Sequence, residues 1–175
     1  MRGQSYRGRM QYSSKRMTSP VGTLTLVATD HGLAAILWEH DRPGRVRLPP
    51  LMADDNHPIL LETERQLQEY FGGRRRSFTL TLDVSGTPFQ RRVWDALLTI
   101  PFGETRSYSQ IAEQIGNPAA VRAVGAANGR NPVSIVAPCH RVVAVSGALT
   151  GFAGGLDIKA HLLRHERLQH EVRAL

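Results

Sequence analysis

The sequence predicts a mixed α/β protein of the α+β class, in which a small three-stranded sheet with a helix precedes a mainly helical part. Segments that alternate apolar and polar residues, as strands do, lie before residue 85. Two capping boxes, which mark the starts of helices, lie after it. We therefore divide the 175 residues into a basic flexible tail over 1–16, an N-terminal α/β domain over 17–84 and a C-terminal domain over 85–175.

The N-terminal domain is predicted to contain a hairpin, a helix and a third strand. Residues 23–28 alternate as a strand between two turns, and residues 33–38 are predicted to be the partner strand. Residues 39–56 are polar and contain prolines, which indicates a loop. A helix is predicted over 58–71, because it begins with proline and is followed by two glycines. Residues 78–82 alternate again and are predicted to form the third strand.

The C-terminal domain is predicted to be mainly helical. A capping box at residues 87–90 opens a helix that runs to about Thr99, and a second box at 107–110 opens a short helix to Ile115. A turn over residues 116–118 is predicted to cap a third helix, which ends near Asn128. Two short helices joined by a tight turn form a helix-turn-helix pattern, which many helical hairpins share without binding DNA. A glycine-rich loop follows later, and a last helix is predicted from about Leu156 to Leu168.

The distribution of charge favours the C-terminal domain as the surface for a polyanion. The net charge is +7, but five basic residues and no acidic residue lie in the tail. Residues 17–84 carry seven basic and nine acidic residues, whereas residues 85–175 carry ten and six. The tail lacks the apolar segment of a secretory signal. We expect its removal to leave the chemistry intact and to weaken the salt dependence of DNA binding.

Cys139 is the only cysteine of the chain, which excludes an intramolecular disulfide and a zinc site built from several cysteines. A lone cysteine suits a reducing compartment, so we expect a cytoplasmic protein. No apolar run approaches the roughly 20 residues of a membrane helix, so we expect no membrane partner. The neighbouring His140 suggests an activated thiol. The alternative is an inert cysteine that packs as a small apolar side chain.

The hexapeptide over residues 138–143, PCHRVV, resembles the active-site signature of the O6-alkylguanine-DNA alkyltransferases, also called methylated-DNA–protein-cysteine methyltransferases. Other matching blocks stand in the order and spacing of that family, at residues 86–90, 100–105, 107–108, 122–129, 131–132 and 151–155. The resemblance is dense over residues 86–168 and loose over 17–84. It implies DNA repair by direct reversal of damage, in which Cys139 takes the alkyl group from O6-alkylguanine and the protein is consumed. O4-alkylthymine is a second candidate substrate, and neither a cofactor nor a metal is expected.

The resemblance also implies roles for five residues in catalysis. Glu166 is expected to orient His140, which takes the thiol proton from Cys139 through a water. Asn131 is expected to hydrogen-bond the backbone that shapes the active-site turn. Tyr108 is expected to donate a hydrogen bond to the flipped base or to help rotate the nucleotide.

A second set of residues is expected to contact the base and the DNA. Arg122 would fill the gap left by the flipped base, and the carbonyls of Cys139 and Val142 would accept from the guanine amine. In the loop over 151–155, Phe152 would face the base, and the N–H of Ala153 would donate to O6. Gly154 belongs to the same wall. The third helix is expected to enter the minor groove of double-stranded DNA through its small residues Ala119, Ala120, Ala123, Gly125, Ala126 and Ala127.

Some features of the sequence depart from members of the family. Phe152 and Ala153 stand where some members have a tyrosine and a serine, and the cysteines that bind zinc in some members have no counterpart. We expect a monomer, with cooperative binding along DNA as a further possibility. Two other functions remain open from sequence: a module that flags damage without chemistry, and a helix-turn-helix transcription factor. Cys139 together with His140 and Glu166 argues against the first, and the modest charge together with the intact Cys139–His140 site argues against the second.

Overall fold

The computed structural model describes residues 10–174 of the chain, with side chains to Glu171. The N-terminal part contains four strands and one helix: β1 (Tyr12–Ser19), β2 (Gly22–Ala28), β3 (Leu33–Leu37), β4 (Leu51–Ala53) and α1 (Pro58–Phe71). The C-terminal part contains four helices, two short strands and a 3-10 turn: α2 (Pro88–Leu97), β5 (Arg106–Ser107), α3 (Tyr108–Gln114), α4 (Val121–Gly129), the turn Cys139–Arg141, β6 (Val142–Val143) and α5 (Leu156–Ala174). The predicted α/β class is confirmed.

The N-terminal sheet has four strands in the order β3-β2-β1-β4, so the prediction of three strands is wrong. β1 lies inside the sheet, antiparallel to β2 and parallel to β4. Residues 12–16 therefore belong to this strand and not to the tail, while residues 1–9 lie outside the described residues. Residues 78–82 form no strand of this sheet and reach it through a single bridge between Leu33 and Leu82.

The helix α1 has the predicted bounds and covers one face of the sheet. Its apolar side buries Leu60, Leu67 and Tyr70 completely against sheet residues such as Leu24 and Leu26. Burying large side chains in this way contributes about 1.5–3 kcal/mol each to folding. The helix thus fixes Tyr70 at its last turn, on the side that meets the C-terminal part.

Both predicted capping boxes are present in the C-terminal part. The side chains of Thr87 and Ser107 accept hydrogen bonds from the backbone N–H groups of Gln90 and Gln110, whose own side chains accept in return. The third helix begins at Val121 and not at residue 118, and no side chain caps it. Three residues of the preceding turn are therefore outside the helix. The last helix continues to residue 174, six residues beyond its predicted end.

The two parts of the chain share contacts and are not independent of each other. Ile36 of β3 donates its backbone N–H to the carbonyl of Pro132 at 2.8 Å. Trp38 donates its indole N–H to the hydroxyl of Ser134 at 3.2 Å. Phe152 packs against the two larger apolar clusters, one around the sheet and α1 and one around α2, α3 and α4. No helix in the described part of the chain is long and apolar enough to cross a membrane.

Candidate active site

The cysteine lies in a short 3-10 turn that is held on both sides. The backbone N–H of Cys139 donates to the carbonyl of Ala137 at 2.8 Å, and that of Arg141 donates to the carbonyl of Pro138 at 2.9 Å. After the turn, β6 pairs in parallel with β5, next to the helix-turn-helix. Because Cys139 is only 3% exposed, the thiol is part of the apolar core of the C-terminal part.

Asn131 braces the segment that leads into this turn. Its side-chain N–H donates to the carbonyl of Ala137 at 2.7 Å, and its side-chain oxygen accepts from the backbone N–H of Val133 at 3.1 Å. Between them, Ile135 adopts a φ of 74°. A β-branched residue in the left-handed region costs about 1–3 kcal/mol, so the surrounding contacts must hold it there. The side chain of Asn131 supplies two of those contacts.

His140 and Glu166 form a buried pair. Nε2 of His140 lies 2.7 Å from Oε1 of Glu166, and both side chains are almost completely buried. Burial lowers the pKa of His140, although the charge of Glu166 opposes this change. The imidazole is therefore neutral near pH 7. Its other nitrogen, Nδ1, is buried without a hydrogen-bond partner among the described residues.

Glu166 accepts hydrogen bonds from three directions besides His140. Arg141 donates to both carboxylate oxygens, at 2.8 and 2.9 Å, and the Tyr70 hydroxyl donates at 2.8 Å. The backbone N–H of Gly103 lies 3.4 Å away. Burial alone raises the pKa of Glu166, but His140 and Arg141 outweigh it and hold that pKa far below its ordinary value. The carboxylate is therefore ionised, and its position is fixed.

The thiol of Cys139 is held in its protonated form in the resting protein. Burial raises its pKa above the ordinary value of a cysteine. The side chains of Asn131 and Ser134 and the positive charges of Arg45 and Lys159 oppose this effect but do not overcome it. Formation of the thiolate therefore needs a base, and His140 is the next residue along the chain.

Lys159 is a buried cation of this site that the sequence did not reveal. It is completely buried, and its ammonium donates to the carbonyls of Val142 at 2.6 Å and Thr150 at 3.0 Å. Burial lowers the pKa of Lys159, while the nearby Cys139 opposes that change. The lysine thereby ties the strand after the active-site turn to the glycine-rich loop.

A cavity of about 990 Å³ opens between the helix-turn-helix and the glycine-rich loop. One wall is the α3–α4 pair, and the other is the loop over residues 150–155. Its lining includes the predicted residues Tyr108, Arg122, Gly125, Phe152, Ala153 and Gly154. The Tyr108 hydroxyl lies 3.2 Å from that of Thr150, which joins the two walls. Tyr108 and Phe152 of this lining also pack against the apolar cluster that contains Cys139.

The other residues predicted to contact the base or the DNA differ in their exposure and in their hydrogen-bond partners. Ala123 is exposed on α4. Ala127 is only 3% exposed, so it does not lie on the surface predicted to meet DNA. It faces the core because Trp94 packs there and donates its indole N–H to the Ala127 carbonyl at 2.8 Å. The carbonyl of Cys139 already accepts from the backbone N–H of Val142 and, at 3.5 Å, from the side-chain N–H of Asn128. The carbonyl of Val142 accepts from Lys159.

Four residues that support the site were not predicted from the sequence: Tyr70, Arg141, Arg45 and Lys159. Arg45 is 5% exposed and donates to both oxygens of Asp41 and to the carbonyl of Asn131, all at 2.6 Å. Arg141 stands within the matched hexapeptide, so the motif itself offered a pointer to it. The others lie far from it in sequence, and their partners are set by the fold.

Two family models match the chain over most of its length. Residues 14–84 match the 6-O-methylguanine DNA methyltransferase, ribonuclease-like domain. Residues 88–168 match the 6-O-methylguanine DNA methyltransferase, DNA binding domain. The first match ends at residue 84 and the second begins at residue 88.

Individual relatives agree with the family models. The methylated-DNA–protein-cysteine methyltransferase of Methanosarcina acetivorans is 46% identical over 148 residues, covering 85% of this chain and 94% of that protein. Its namesake in Mycolicibacterium paratuberculosis is 49% identical over 158 residues, covering 87% and 91%. OGT of Mycobacterium tuberculosis, solved in complex with DNA, superposes with a TM-score of 0.82 at 43% identity, covering 91% of this chain and 94% of that one. The chain therefore belongs to the 6-O-methylguanine DNA methyltransferase family.

Proposed function

We propose that the protein repairs DNA by moving the alkyl group of O6-alkylguanine onto Sγ of Cys139, in one turnover that consumes the protein. The observation that carries this proposal is the buried pair of His140 and Glu166, in which His140 directly follows the cysteine. A nucleophile, a base and a group that orients the base form the arrangement of nucleophilic catalysis. O4-alkylthymine presents the same kind of alkyl–oxygen bond and is a second candidate substrate.

Glu166 determines which nitrogen of His140 receives the proton. Because the carboxylate is ionised, Nε2 carries the hydrogen and donates to it, which leaves Nδ1 as the acceptor. We propose that a water passes the proton of the Cys139 thiol to this nitrogen. The resulting imidazolium is stabilised by the negative charge of Glu166.

The transfer itself is an in-line displacement at the alkyl carbon. The thiolate of Cys139 forms the new carbon–sulfur bond as the bond between that carbon and O6 breaks. The electron pair of the broken bond stays on O6, and the guanine takes up the proton that the thiol released. The N–H of Ala153 is proposed to donate to O6 while this charge develops. Water does not hydrolyse the thioether at a useful rate, so the protein acts once.

The damaged base must leave the helix to react, because O6 of guanine lies inside the base stack. The cavity lined by Tyr108 and Phe152 is proposed to hold the flipped base, with Arg122 in the gap that it leaves. The match of residues 88–168 to a DNA-binding domain supports this assignment. The exposed small residues Ala123 and Ala126 of α4 permit close approach to the minor groove, which carries little sequence information. We propose that the protein works as a monomer. We also propose that it works in the cytoplasm, because the thiol stays reduced in that compartment.

The test is the intact mass of the protein after mixing with duplex DNA that carries one O6-methylguanine. We expect a gain of one methylene group, located on the peptide that contains Cys139 and absent with undamaged DNA. The Cys139→Ala variant should gain no mass. Binding to damaged DNA without any gain of mass would replace this proposal with a damage-binding function.

A further inference from the structure

Three residues of the N-terminal part lie at or directly behind the lining of the cavity between the helix-turn-helix and the glycine-rich loop. They follow one another at every second position after β3: Trp38, His40 and Arg42. His40 and Arg42 line the cavity, and Trp38 lies behind its loop wall. We call these three residues the N-terminal rim.

Trp38 fixes the rim to the wall of the cavity. Its ring meets that of Phe152 edge to face, with 5.4 Å between the ring centroids. A side-chain carbon on Gly154 would come within 2.9 Å of the Trp38 ring, so only a glycine permits this contact. The rim and the loop that walls the cavity are therefore packed as one unit.

Hydrogen bonds of Asp41 and Arg45, on either side of Arg42, hold the loop that carries these residues in place. Asp41 accepts from the backbone N–H of Trp38 at 3.2 Å and from two nitrogens of Arg45 at 2.6 Å. Arg45 in turn donates to the carbonyl of Asn131, next to the active-site segment. Because Asp41 is held by Arg45, it is not the partner of the exposed Arg42.

The cavity carries positive charge without a balancing carboxylate. Arg42, Arg122 and Arg130 line it, and no Asp or Glu belongs to its described lining. None of these three arginines has a carboxylate within 4.0 Å in the part of the chain that the structure describes. Unpaired arginines at the mouth of a cavity are suited to bind the phosphates of a nucleic acid.

We propose that Arg42 binds a backbone phosphate next to the flipped nucleotide, so that the N-terminal part takes a direct share in holding damaged DNA. This inference rests on the proposed function, because it takes the cavity as the place of the flipped base. Arg122 on α4 and Arg130 directly after it would face the DNA from one wall of the cavity, and Arg42 would meet the extruded nucleotide from the side of the N-terminal part. An arginine can donate two hydrogen bonds to one phosphate.

Single-turnover alkyl transfer, measured over a range of DNA concentrations, separates binding from chemistry. For Arg42→Ala we expect the DNA concentration at half-maximal rate to rise roughly tenfold, with an unchanged limiting rate. When the logarithm of this half-maximal DNA concentration is plotted against the logarithm of the salt concentration, the slope for Arg42→Ala should be smaller by about one. Arg47→Ala is the matched control, since Arg47 is an exposed arginine of the same loop that lines a different cavity.

Neutral methylphosphonate linkages on either side of the O6-methylguanine locate the contact. At one of these positions the wild-type protein should lose affinity, whereas Arg42→Ala should lose nothing further. Arg47→Ala should behave as wild type. The proposal is wrong if Arg42→Ala binds DNA as Arg47→Ala does. It is also wrong if every neutral linkage lowers the affinity of Arg42→Ala as much as it lowers that of the wild type. Failure of the wild-type protein to gain mass on Cys139 would instead overturn the proposed function.

Discussion

Tyr70, in the last turn of the helix that covers the N-terminal sheet, donates a hydrogen bond of 2.8 Å to Glu166, which lies 96 residues later in the chain. Both side chains are almost completely buried. The carboxylate that orients His140 is therefore held from the N-terminal part as well as by Arg141 of the C-terminal part. A variant that lacks this hydrogen bond tests whether the N-terminal part supports alkyl transfer in the C-terminal part.

For Tyr70→Phe we expect a limiting rate of alkyl transfer that is lower by about 10- to 150-fold, because a hydrogen bond to a charged group is worth about 1.5–3 kcal/mol. The DNA concentration at half-maximal rate should not change. The matched control is Tyr12→Phe, which removes a hydroxyl from β1. A change in DNA affinity with an unchanged limiting rate would show that Tyr70 does not position the catalytic pair.

Lys159→Met should loosen the loop that walls the cavity. The methionine fills a similar volume but leaves the carbonyls of Val142 and Thr150 without their donor, which costs about 1–3 kcal/mol for each buried group. Faster hydrogen exchange over residues 144–155 and slower alkyl transfer are the expected results. Lys15→Met is the control, since the chain contains only these two lysines and Lys15 forms an ion pair with Glu64. Equal exchange in both variants would exclude this role.

Two truncations separate the tail from the first strand. Removal of residues 1–16 deletes most of β1, which lies between β2 and β4, so we expect a large loss of stability in urea unfolding. Removal of residues 1–9 keeps the strand and should retain the fold and the alkyl transfer. It should also weaken the salt dependence of DNA binding, because three arginines are lost. An unchanged salt slope would show that those arginines do not contact phosphates.

Acid should destabilise the protein through its buried pair. The native pKa of His140 is below 6.5, and that of Glu166 is far below 4.5, so the unfolded chain binds protons more readily than the native protein. The free energy of unfolding should therefore fall as pH drops below about 6.5, and more steeply below about 4.5. These contributions are fully present above the two unfolded pKa values. Urea unfolding measured over this pH range tests the prediction.

Glu166→Gln is the comparison for the pH profile. It leaves Arg141 buried without its carboxylate, so we expect a loss of about 3–5 kcal/mol at neutral pH. Its stability should also change less steeply below about pH 4.5, since the titrating group is absent. A variant profile as steep as that of the wild type would assign the acid sensitivity to other carboxylates.

Local patterns in the sequence predicted the helices better than the strands. The capping residues Thr87 and Ser107 lie within a few residues of the groups they bind, so their meaning is local. The first strand was missed because Lys15 and Arg16 interrupt its apolar pattern, and because its partners β2 and β4 are set by the fold. Residues 78–82 have the alternation of a strand but join the sheet through one bridge only.

The residues of the site also divide into those that could be predicted from local sequence and those whose partners are set by the fold. Cys139 and His140 are adjacent in sequence, and the surrounding blocks pointed to Glu166. The support from Tyr70 and Lys159 could not be predicted, because a tyrosine or lysine within an amphipathic helix is usually a packing or surface residue. Ala127 was assigned to DNA from its small size, whereas the turn of α4 directs it to the core.

The burial of Cys139 affects how long the protein survives before it is used. Oxidants such as peroxide attack a thiolate far faster than a thiol, and they need access to the sulfur. A cysteine that is 3% exposed, with a raised pKa, is therefore slow to form sulfenic acid. A protein that acts only once has no spare acceptor if its sulfur is oxidised first. The packed turn thus keeps the sulfur of Cys139 reduced and able to accept an alkyl group until the protein binds a lesion.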